Sequence, residues 1–434
     1  MKKVLVITYY WPPAGGAGVQ RWLKFVKYLR NYGWEPVVYT PENPEYPVLD
    51  NSLENDIPEG VQVIRKPVFE PYDLYKKFTG RRKEDTIKSG FLSEEKKPGL
   101  TESIAVWIRG NWFIPDARKF WIAPSVRFLT GWLNENRVNA IVSTGPPHSM
   151  HLIAQRVAAA TNLPWLADFR DPWTSIDFYH QLKLTCRSDR KHHRLELSVL
   201  QSADRVVVIS NGMAEDFRRI FDRQYDVITN GFDEDDLPQA EAVTDTEKFV
   251  ILHAGSLVPA RNPLVFWQAL KQLRDEAPEV SESLTVELAG QVDYSVKQAI
   301  TEAGLSDMVR FHGYLPHDEV TRLQQQAHLL LLVVNRTPNA RMVVTGKLFE
   351  YLASGTPVLG IGPAEGDAAD ILNETQAGMM CDWDDVEAVK SEIMNWFESW
   401  RQKSYRKNPV HLAAKYSRKK LTGHLARILD EIGG

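Results

Sequence analysis

The chain has 434 residues, of which 43% are hydrophobic and 25% charged, and its formal net charge is −4. A single hydrophobic core stops growing at roughly 250–300 residues, so two domains are expected. The composition is that of an ordinary globular protein. The small negative charge argues against a nucleic-acid-binding protein, which usually carries a strongly basic face.

The two cysteines, Cys186 and Cys381, lie far apart in the sequence. This spacing excludes a disulfide framework and a zinc-type cysteine cluster, and no other metal-ligand cluster is visible. No apolar run approaches the roughly 20 residues of a membrane-spanning helix. The apolar start at residues 4–8 is also too short for a signal peptide. We therefore expect a cytoplasmic protein that holds no metal.

Short apolar runs alternate with amphipathic stretches in both halves, which is typical of βαβ units and parallel sheets. In the first half we predict strands at residues 4–8, 36–40, 61–66, 140–144, 165–169, 206–209 and 226–229, with helices near 19–32, 148–161, 190–202 and 212–220. In the second half we predict strands at residues 249–255, 285–289, 309–312, 329–334, 357–361 and 378–381, with helices near 262–275, 294–304, 317–326, 346–354, 366–374 and 384–400. The predicted fold class is α/β, with two doubly wound Rossmann-like domains facing a central cleft.

The domain boundary is predicted in the acidic, apolar-poor stretch that begins at Asp233. Residues 1–235 would form the N-terminal domain and residues 236–410 the C-terminal domain. A C-terminal helix within residues 411–434 is expected to pack near the N-terminal domain.

An insertion at about residues 68–120 interrupts the alternation of strands and helices. Its charged middle, residues 80–85, is predicted to be a mobile loop. Residues 105–133 combine interleaved aromatic and arginine residues with helical apolar spacing. They fit either a helical hairpin packed on its own domain or a surface that receives a lipid-linked acceptor at a membrane.

The strongest motif lies at residues 345–359, where a loop precedes a helix, a glycine and a buried strand. The free N–H groups and the dipole at the start of this helix, near Gly346, attract a phosphate group. Lys347 in the first turn opposes the helix dipole unless an anion lies nearby. Glu350, one turn later on the same side, can accept hydrogen bonds from two adjacent hydroxyl groups of a ribose. The alternative is an exposed Lys–Glu pair on an amphipathic helix.

A second anion site is predicted where Gly255 and Ser256 follow a strand. The glycine allows a ligand to approach the backbone closely. Arg261 precedes the next helix, for which Asn262 is the predicted N-cap and Pro263 the first helical residue. An arginine can bind a diphosphate with two parallel hydrogen bonds. A solvated arginine in a loop is the alternative.

The first half contains three further candidates directly after predicted strands. Gly15 and Gly16 lie in a glycine-rich turn before a helix, which can hold a phosphate or a sugar or can be a plain tight turn. His148 can assist proton transfer or cap its helix. Arg170 and Asp171 belong to an Asp-Arg-Asp cluster, a combination found more often in sites than in cores. An internal Arg170–Asp ion pair is the alternative.

Together these motifs resemble the retaining GT-B glycosyltransferases of family GT4 over nearly the whole chain. The segments that carry the resemblance are PPAGGAGVQR at 12–21, VITNGFDEDDL at 227–237, HAGSLVPARNP at 253–263, VRFHGYLPHDEV at 309–320 and GKLFEYLASGTPVL at 346–359. Each segment alone is modest evidence, but five in the family's order are highly specific.

The resemblance implies a metal-independent hexosyltransferase that moves a sugar to a hydroxyl acceptor with retention, in the synthesis of a cell-surface polysaccharide or glycolipid. The donor would be a nucleoside-diphosphate sugar, which is a substrate and not a cofactor, and the acceptor would be a glycan or a lipid-linked molecule. Membrane contact through residues 105–133 would place the enzyme at the inner face of the membrane. The implied residues are Gly255, Ser256, Arg261, Gly346, Lys347, Leu348 and Glu350 for the donor, Gly15, Gly16, Arg170 and Asp171 for the acceptor, and Arg261, Lys347, Asp171 and His148 for catalysis.

The sequence departs from the family pattern at three positions. The family often carries two glutamates eight positions apart; Glu350 matches the second, whereas Met342 stands at the first. Ser256 stands where an arginine is common, and Arg170 stands where a histidine often precedes Asp171. Because of Met342, a non-catalytic sugar-nucleotide-binding protein is one alternative function. A GT-B sugar-nucleotide epimerase is the other.

Overall fold

The computed structural model describes residues 1–44, 46, 48–69, 100–236 and 247–434. The chain divides into two compact units. The first comprises Met1–Thr229 together with Arg418–Gly434, and the second comprises Asn230–Ser417. The loop predicted at residues 80–85 lies outside the described residues, as does part of the predicted linker, residues 237–246.

The first unit is built on a seven-stranded parallel sheet with the strand order β3-β2-β1-β4-β5-β6-β7. Its strands are β1 Lys2–Ile7, β2 Trp34–Pro41, β3 Gln62–Lys66, β4 Ala140–Gly145, β5 Trp165–Phe169, β6 Arg205–Val208 and β7 Asp226–Val227. The strand order reverses between β1 and β4: successive strands are added on one side of β1 and then, from β4 onward, on its other side. In doubly wound sheets, ligands bind at such a point, beyond the carboxyl ends of the strands.

The second unit contains a six-stranded parallel sheet with the order β10-β9-β8-β11-β12-β13. Its strands are β8 Phe249–Ala254, β9 Leu284–Ala289, β10 Val309–Gly313, β11 Leu329–Val333, β12 Val358–Ile361 and β13 Gly378–Cys381. Here the order reverses between β8 and β11. The predicted α/β class with two doubly wound sheets is confirmed.

The helices cover the faces of both sheets, which explains why strands such as β4 and β11 are buried along their whole length. They are α1 Ala17–Leu29, α2 Leu100–Trp112, α3 Lys119–Glu135, α4 Ser149–Thr161, α5 Cys186–Ser202, α6 Asn211–Ile220, α7 Leu264–Glu276, α8 Pro278–Ser283, α9 Tyr294–Glu302, α10 His317–Gln326, α11 Gly346–Ser354, α12 Asp367–Glu374, α13 Val386–Arg401 and α14 Arg418–Ile432.

Capping explains where two helices differ from the prediction. Helix α5 begins earlier than residue 190 because the Thr185 side chain accepts a hydrogen bond from the Ser188 N–H and caps the helix. Helix α7 begins at Leu264, so Pro263 is its N-cap and the prediction of Asn262 as the cap is wrong. The Asn262 side chain instead accepts a hydrogen bond from Trp267 Nε1 at 2.9 Å.

Residues 105–133, for which a helical hairpin was one hypothesis, contain most of helix α2 and most of helix α3. Helix α3 packs against α4 of the same unit. Its Trp121 ring stacks on Tyr39 of β2, with the ring centroids 5.0 Å apart and the planes inclined by 10°. This helix is therefore part of the covering layer of the first sheet.

The C-terminal helix α14 completes the core of the first unit by packing against α1. Its leucines Leu421, Leu425 and Leu429 are buried in one cluster with the aromatic residues Trp22 and Trp34. The C-terminal residues thus belong to the same compact unit as the N-terminal residues.

A buried ion pair joins α1 to the middle of the first sheet. Arg21 Nη2 lies 2.8 Å from Asp168 Oδ1, and both side chains are almost completely buried. Trp22 Nε1 and the Thr144 hydroxyl also donate to the Asp168 carboxylate, at 2.7 and 2.9 Å. Burial alone would raise the pKa of Asp168. The Arg21 charge and these hydrogen bonds outweigh burial and hold the pKa below its usual value.

Replacing Leu429 by alanine should destabilise the first unit, because it removes a fully buried side chain between α14 and the core. We expect a loss of about 2–5 kcal/mol in its free energy of unfolding, measured by urea denaturation. Arg427→Ala, on the exposed side of the same helix, is the matched control and should change stability by less than about 0.5 kcal/mol. A Leu429→Ala effect as small as that of the control would contradict the packing of α14.

Replacing Asp168 by asparagine should cost about 3–5 kcal/mol near neutral pH, because the Arg21 charge stays buried without its partner. The pKa of Asp168 is lowered, so its contribution is complete above the unfolded-state value of about 3.9. The contribution is lost as the pH falls through the lower folded-state pKa. Urea denaturation at several pH values should therefore show a smaller difference between wild type and variant in acid. A constant difference down to low pH would contradict this role.

Candidate active site

The start of α11 and the loop after β8 lie side by side in the second unit. The Lys347 side chain approaches Gly255 so closely that a Cβ atom at Gly255 would lie 1.9 Å from Nζ. Gly255 also has a φ of 122°, which side-chain-bearing residues rarely adopt. The two strongest sequence motifs therefore form one site, and its geometry requires glycine at position 255.

Lys347 is a half-buried cation in the first turn of α11. Burial and the nearby Arg261 charge lower its pKa to about 8, and the Glu350 carboxylate partly opposes this shift. Within the described residues, Lys347 Nζ has no carboxylate partner at ion-pair distance. A cation at a helix start is unfavourable by itself, because the helix dipole is positive there. The arrangement therefore favours a bound anion.

Arg261 ends a 3-10 turn, Pro259–Arg261, in the loop after β8. Its Nε donates a hydrogen bond to Asn335 Oδ1 at 2.5 Å, which fixes the orientation of the guanidinium group. Asn335 follows β11, the neighbour of β8 in the sheet. Asn335 was not among the residues predicted to bind the phosphates or the ribose of the donor. A polar residue just beyond a fully buried strand was the available signal.

His253 at the end of β8 is buried beside the same cations. Burial, followed by the Lys347 charge, lowers its pKa to about 3, so the ring is neutral at physiological pH. His253 Nδ1 lies 2.8 Å from the Leu331 carbonyl oxygen. Since a carbonyl only accepts hydrogen bonds, Nδ1 carries the hydrogen. This histidine therefore adds no third positive charge to the site.

The remaining predicted donor residues lie in different environments. Gly346 is the first residue of α11, and Glu350 lies one turn further along the same helix. Ser256 is exposed next to Gly255. The Leu348 side chain is fully buried in the core of the second unit, so Leu348 can reach a ligand only through its backbone.

On the first unit, Arg170 connects the segments that follow three neighbouring strands. It lies directly after β5, donates from Nη1 to the Gly18 carbonyl oxygen at 2.6 Å, and donates from Nη2 to the Pro146 carbonyl oxygen. Within the described residues Arg170 forms no ion pair within 4.0 Å, and Asp168 pairs with Arg21 instead. The alternative of an internal Arg170–Asp ion pair is therefore wrong.

Asp171 and the glycine-rich turn lie at the same carboxyl edge of the first sheet. The Asp171 side chain is accessible to solvent, but the surrounding protein displaces part of its water. This desolvation raises the Asp171 pKa to about 6, although the Arg170 charge opposes the shift. Gly16 is the exposed N-cap of α1 with a φ of 91°. The Gly15 N–H donates to the Val48 carbonyl oxygen at 2.9 Å.

His148 is buried and stacks on Trp173, with ring centroids 4.4 Å apart and planes inclined by 1°. Burial, together with nearby positive charge, holds its pKa well below the usual value. His148 occupies the N-cap position of α4, as one of the two hypotheses predicted, but its side chain makes no capping hydrogen bond. Asp116 instead binds the helix start, accepting from the Ser149 N–H and hydroxyl group at 2.8 Å each.

Three of the solved structures that share this fold match it over almost the whole chain. HepE of Anabaena, in complex with UDP-glucose, is 14% identical with a TM-score of 0.63 and covers 99% of this chain and 100% of its own. WaaG, a glycosyltransferase involved in lipopolysaccharide biosynthesis, is 14% identical with a TM-score of 0.56 and covers 98% and 99%. A putative UDP-N-acetylglucosamine 2-epimerase from Listeria monocytogenes is 9% identical with a TM-score of 0.55 and covers 99% and 96%. Because both enzyme classes have this fold, the fold alone does not separate them.

Sequence profiles of two glycosyltransferase families cover both halves of the chain. The profile of the family described as "Glycosyl transferase 4-like domain" matches residues 15–231. The profile described as "Glycosyl transferases group 1" matches residues 235–414. No curated protein matches the sequence significantly. With both profiles matched in order, this chain belongs to the group 1 glycosyltransferases and has their GT-B fold.

Proposed function

We propose that the protein transfers a hexose from a nucleoside-diphosphate sugar to a hydroxyl acceptor with retention at the anomeric carbon. The observation that carries this proposal is the position of Lys347, beside Arg261 and against the backbone of Gly255. When the glycosidic bond breaks, negative charge develops on the leaving diphosphate. Two cations and the positive end of the α11 dipole would stabilise that charge. In this mechanism the cationic side chains of the protein stabilise the leaving diphosphate, a role that a metal ion has in other enzymes.

The rest of the donor is assigned from the same elements. Glu350 would accept hydrogen bonds from the two ribose hydroxyl groups, while the backbones of Gly255 and Gly346 would contact the phosphates. The UDP-glucose bound to HepE supports a nucleotide sugar as the class of donor. With Met342 at the position of the first family glutamate, we expect other side chains to select the sugar.

On the acceptor side, Asp171 is a better proton acceptor than His148. The Asp171 carboxyl, with a pKa of about 6, is accessible and mostly ionised at neutral pH. The buried His148 ring has a pKa well below its usual value and is therefore a weak base. We propose that the acceptor hydroxyl lies near Asp171, with Arg170 and the turn at Gly15 and Gly16 forming its surroundings. The proton that leaves the hydroxyl would pass to Asp171 or to the departing diphosphate.

A structural neighbour supports the proposed class of acceptor. WaaG is involved in lipopolysaccharide biosynthesis, which supports a glycan or lipid-linked acceptor and a role in cell-surface polysaccharide or glycolipid synthesis. We place the reaction in the cytoplasm, at the inner face of the membrane.

The proposal predicts that Arg261→Ala and Glu350→Ala each weaken donor binding about 10- to 100-fold, because each removes charge-assisted hydrogen bonds worth about 1.5–3 kcal/mol. A donor panel read by mass spectrometry would first identify the nucleotide sugar, and calorimetry would then compare affinities. Arg322→Ala and Glu319→Ala, exposed on α10, are controls that should bind normally. Unchanged donor affinity in both site variants would refute this donor site.

The same panel separates the alternative functions. A glycosyltransferase yields a glycosylated acceptor. Conversion of the donor into its epimer without any acceptor would identify an epimerase, and binding without turnover on every donor and acceptor would identify a non-catalytic binding protein. The two family profiles favour the first outcome.

The affinity for a nucleoside diphosphate should fall as the pH rises above about 8. Lys347 has a pKa of about 8 in the free protein, so it loses its positive charge in this range. Lys347→Arg keeps the charge, since the arginine pKa exceeds about 12, and should give a flat profile. Calorimetric titrations between neutral and alkaline pH measure the nucleoside-diphosphate affinity of the wild type and of the variant. The same fall in wild type and variant would show that Lys347 does not bind the diphosphate.

A further inference from the structure

Helix α2 turns an apolar face outward. Ile104, Trp107, Ile108 and Trp112 recur at helical spacing, and Ile104 and Trp112 are 54% and 69% exposed. The opposite face packs inward at Gly110, where a Cβ atom would lie 2.6 Å from the Leu182 carbonyl oxygen. An amphipathic helix on a water-facing surface has the reverse orientation. Exposed apolar patches of this kind mark interaction surfaces.

The apolar patch continues onto neighbouring aromatic residues. Phe120, at the start of α3, is 44% exposed. Its ring meets Phe113 and Phe69 edge to face, with centroids 6.1 and 5.8 Å away. Lys119 Nζ lies 5.0 Å from the Phe120 ring centroid, so a cation is positioned within the aromatic cluster.

Exposed basic residues border this face. Asn111 of α2 accepts a hydrogen bond from the Thr185 N–H at 2.7 Å and donates to the Lys183 carbonyl oxygen at 3.2 Å. These bonds hold the start of α5 against α2. They place a group of exposed cations beside the aromatic face: Arg109, Lys183, Arg187, Arg190 and Lys191. The nearby acid Asp189 is engaged locally, with Tyr179 at 3.0 Å and His193 at 3.5 Å.

We propose that this α2 surface, made of the outward face of α2, the Phe113–Phe120 aromatic cluster and the basic start of α5, binds bilayers containing anionic phospholipids. Tryptophan rings suit the region between headgroups and acyl chains, and lysine and arginine attract the negative headgroups. None of the described helices is both long and apolar enough to cross a bilayer. The surface would therefore hold the protein on the membrane without spanning it.

The positive charge around the α2 surface favours binding to an anionic lipid surface over binding to a second copy of the chain. Arginine and lysine flank the tryptophans on two sides, whereas an apolar face for a second copy of the chain would bring like charges together. Binding at this surface needs neither donor nor acceptor, so it stands or falls separately from the proposed glycosyl transfer. Its consequence for that reaction would be access to an acceptor anchored in the bilayer.

The test is sedimentation of the full chain with two kinds of vesicle, phosphatidylcholine alone and phosphatidylcholine mixed with phosphatidylglycerol. Wild type should bind the mixed vesicles, bind the neutral ones much less, and be released by salt. The Trp107→Ser/Trp112→Ser and Lys183→Ser/Arg187→Ser double variants should each bind about tenfold or more weakly. Tyr294→Ser/Arg322→Ser is the matched control, because it also removes an exposed aromatic ring and an exposed arginine, in the second unit.

Unchanged donor affinity in every variant would show that the variants are folded. Equal binding to both kinds of vesicle, or equal binding by site and control variants, would overturn the proposal. A concentration-dependent dimer that the Trp107→Ser/Trp112→Ser variant abolishes, together with no vesicle binding by wild type, would also overturn it and would assign the face to self-association.

Discussion

The buried Arg21–Asp168 pair sets the geometry of the carboxyl edge of the first sheet. Asp168 receives hydrogen bonds from Arg21 and Trp22 on α1 and from Thr144 on β4, and Arg21 also donates to the Ile228 carbonyl oxygen after β7. Because a buried charge that loses its partner costs several kcal/mol, these elements keep fixed positions. Arg170 is held by the Gly18 and Pro146 carbonyl oxygens. The Asp-Arg-Asp cluster therefore separates into a structural acid, Asp168, and a candidate functional one, Asp171.

At the corresponding edge of its sheet, the second unit brings two positive charges close together instead of forming a buried ion pair. Lys347 has a lowered pKa and lies against the backbone of Gly255, with the Arg261 charge nearby. This arrangement costs stability in the free protein, because two cations repel each other at a helix start that is itself positive. A diphosphate would remove the repulsion, and this relief would add to the free energy of its binding. In the first unit the buried Arg21 charge is paired with Asp168, whereas Lys347 of the second unit has no carboxylate partner among the described residues.

Local patterns in the sequence were sufficient to predict the elements and the motifs but not the contacts between them. The strands at Trp165–Phe169 and Gly378–Cys381 have the predicted bounds, because apolar runs end at turn residues. The start of α5 was missed because it depends on a hydrogen bond to the Thr185 side chain. The pairing of Arg261 with Asn335 was also missed, since it joins the ends of two strands that are distant in sequence. Side-chain partners of this kind are set by the three-dimensional order of the strands, which no single motif contains.

The insertion shows why two hypotheses drawn from one sequence pattern need not exclude each other. Aromatic residues at helical spacing predict a buried face, and α3 has one, where Trp121 stacks on Tyr39. In α2 the residue that packs inward is Gly110, which leaves Trp107 and Trp112 outside. The spacing of the aromatic residues shows that the helix has an apolar face. The contacts made by the opposite side of the helix decide whether that apolar face points to the core or to the surroundings. An aromatic face that points outward beside exposed cations is suited to a charged interface, so packing on the domain and the proposed membrane binding are compatible in one segment.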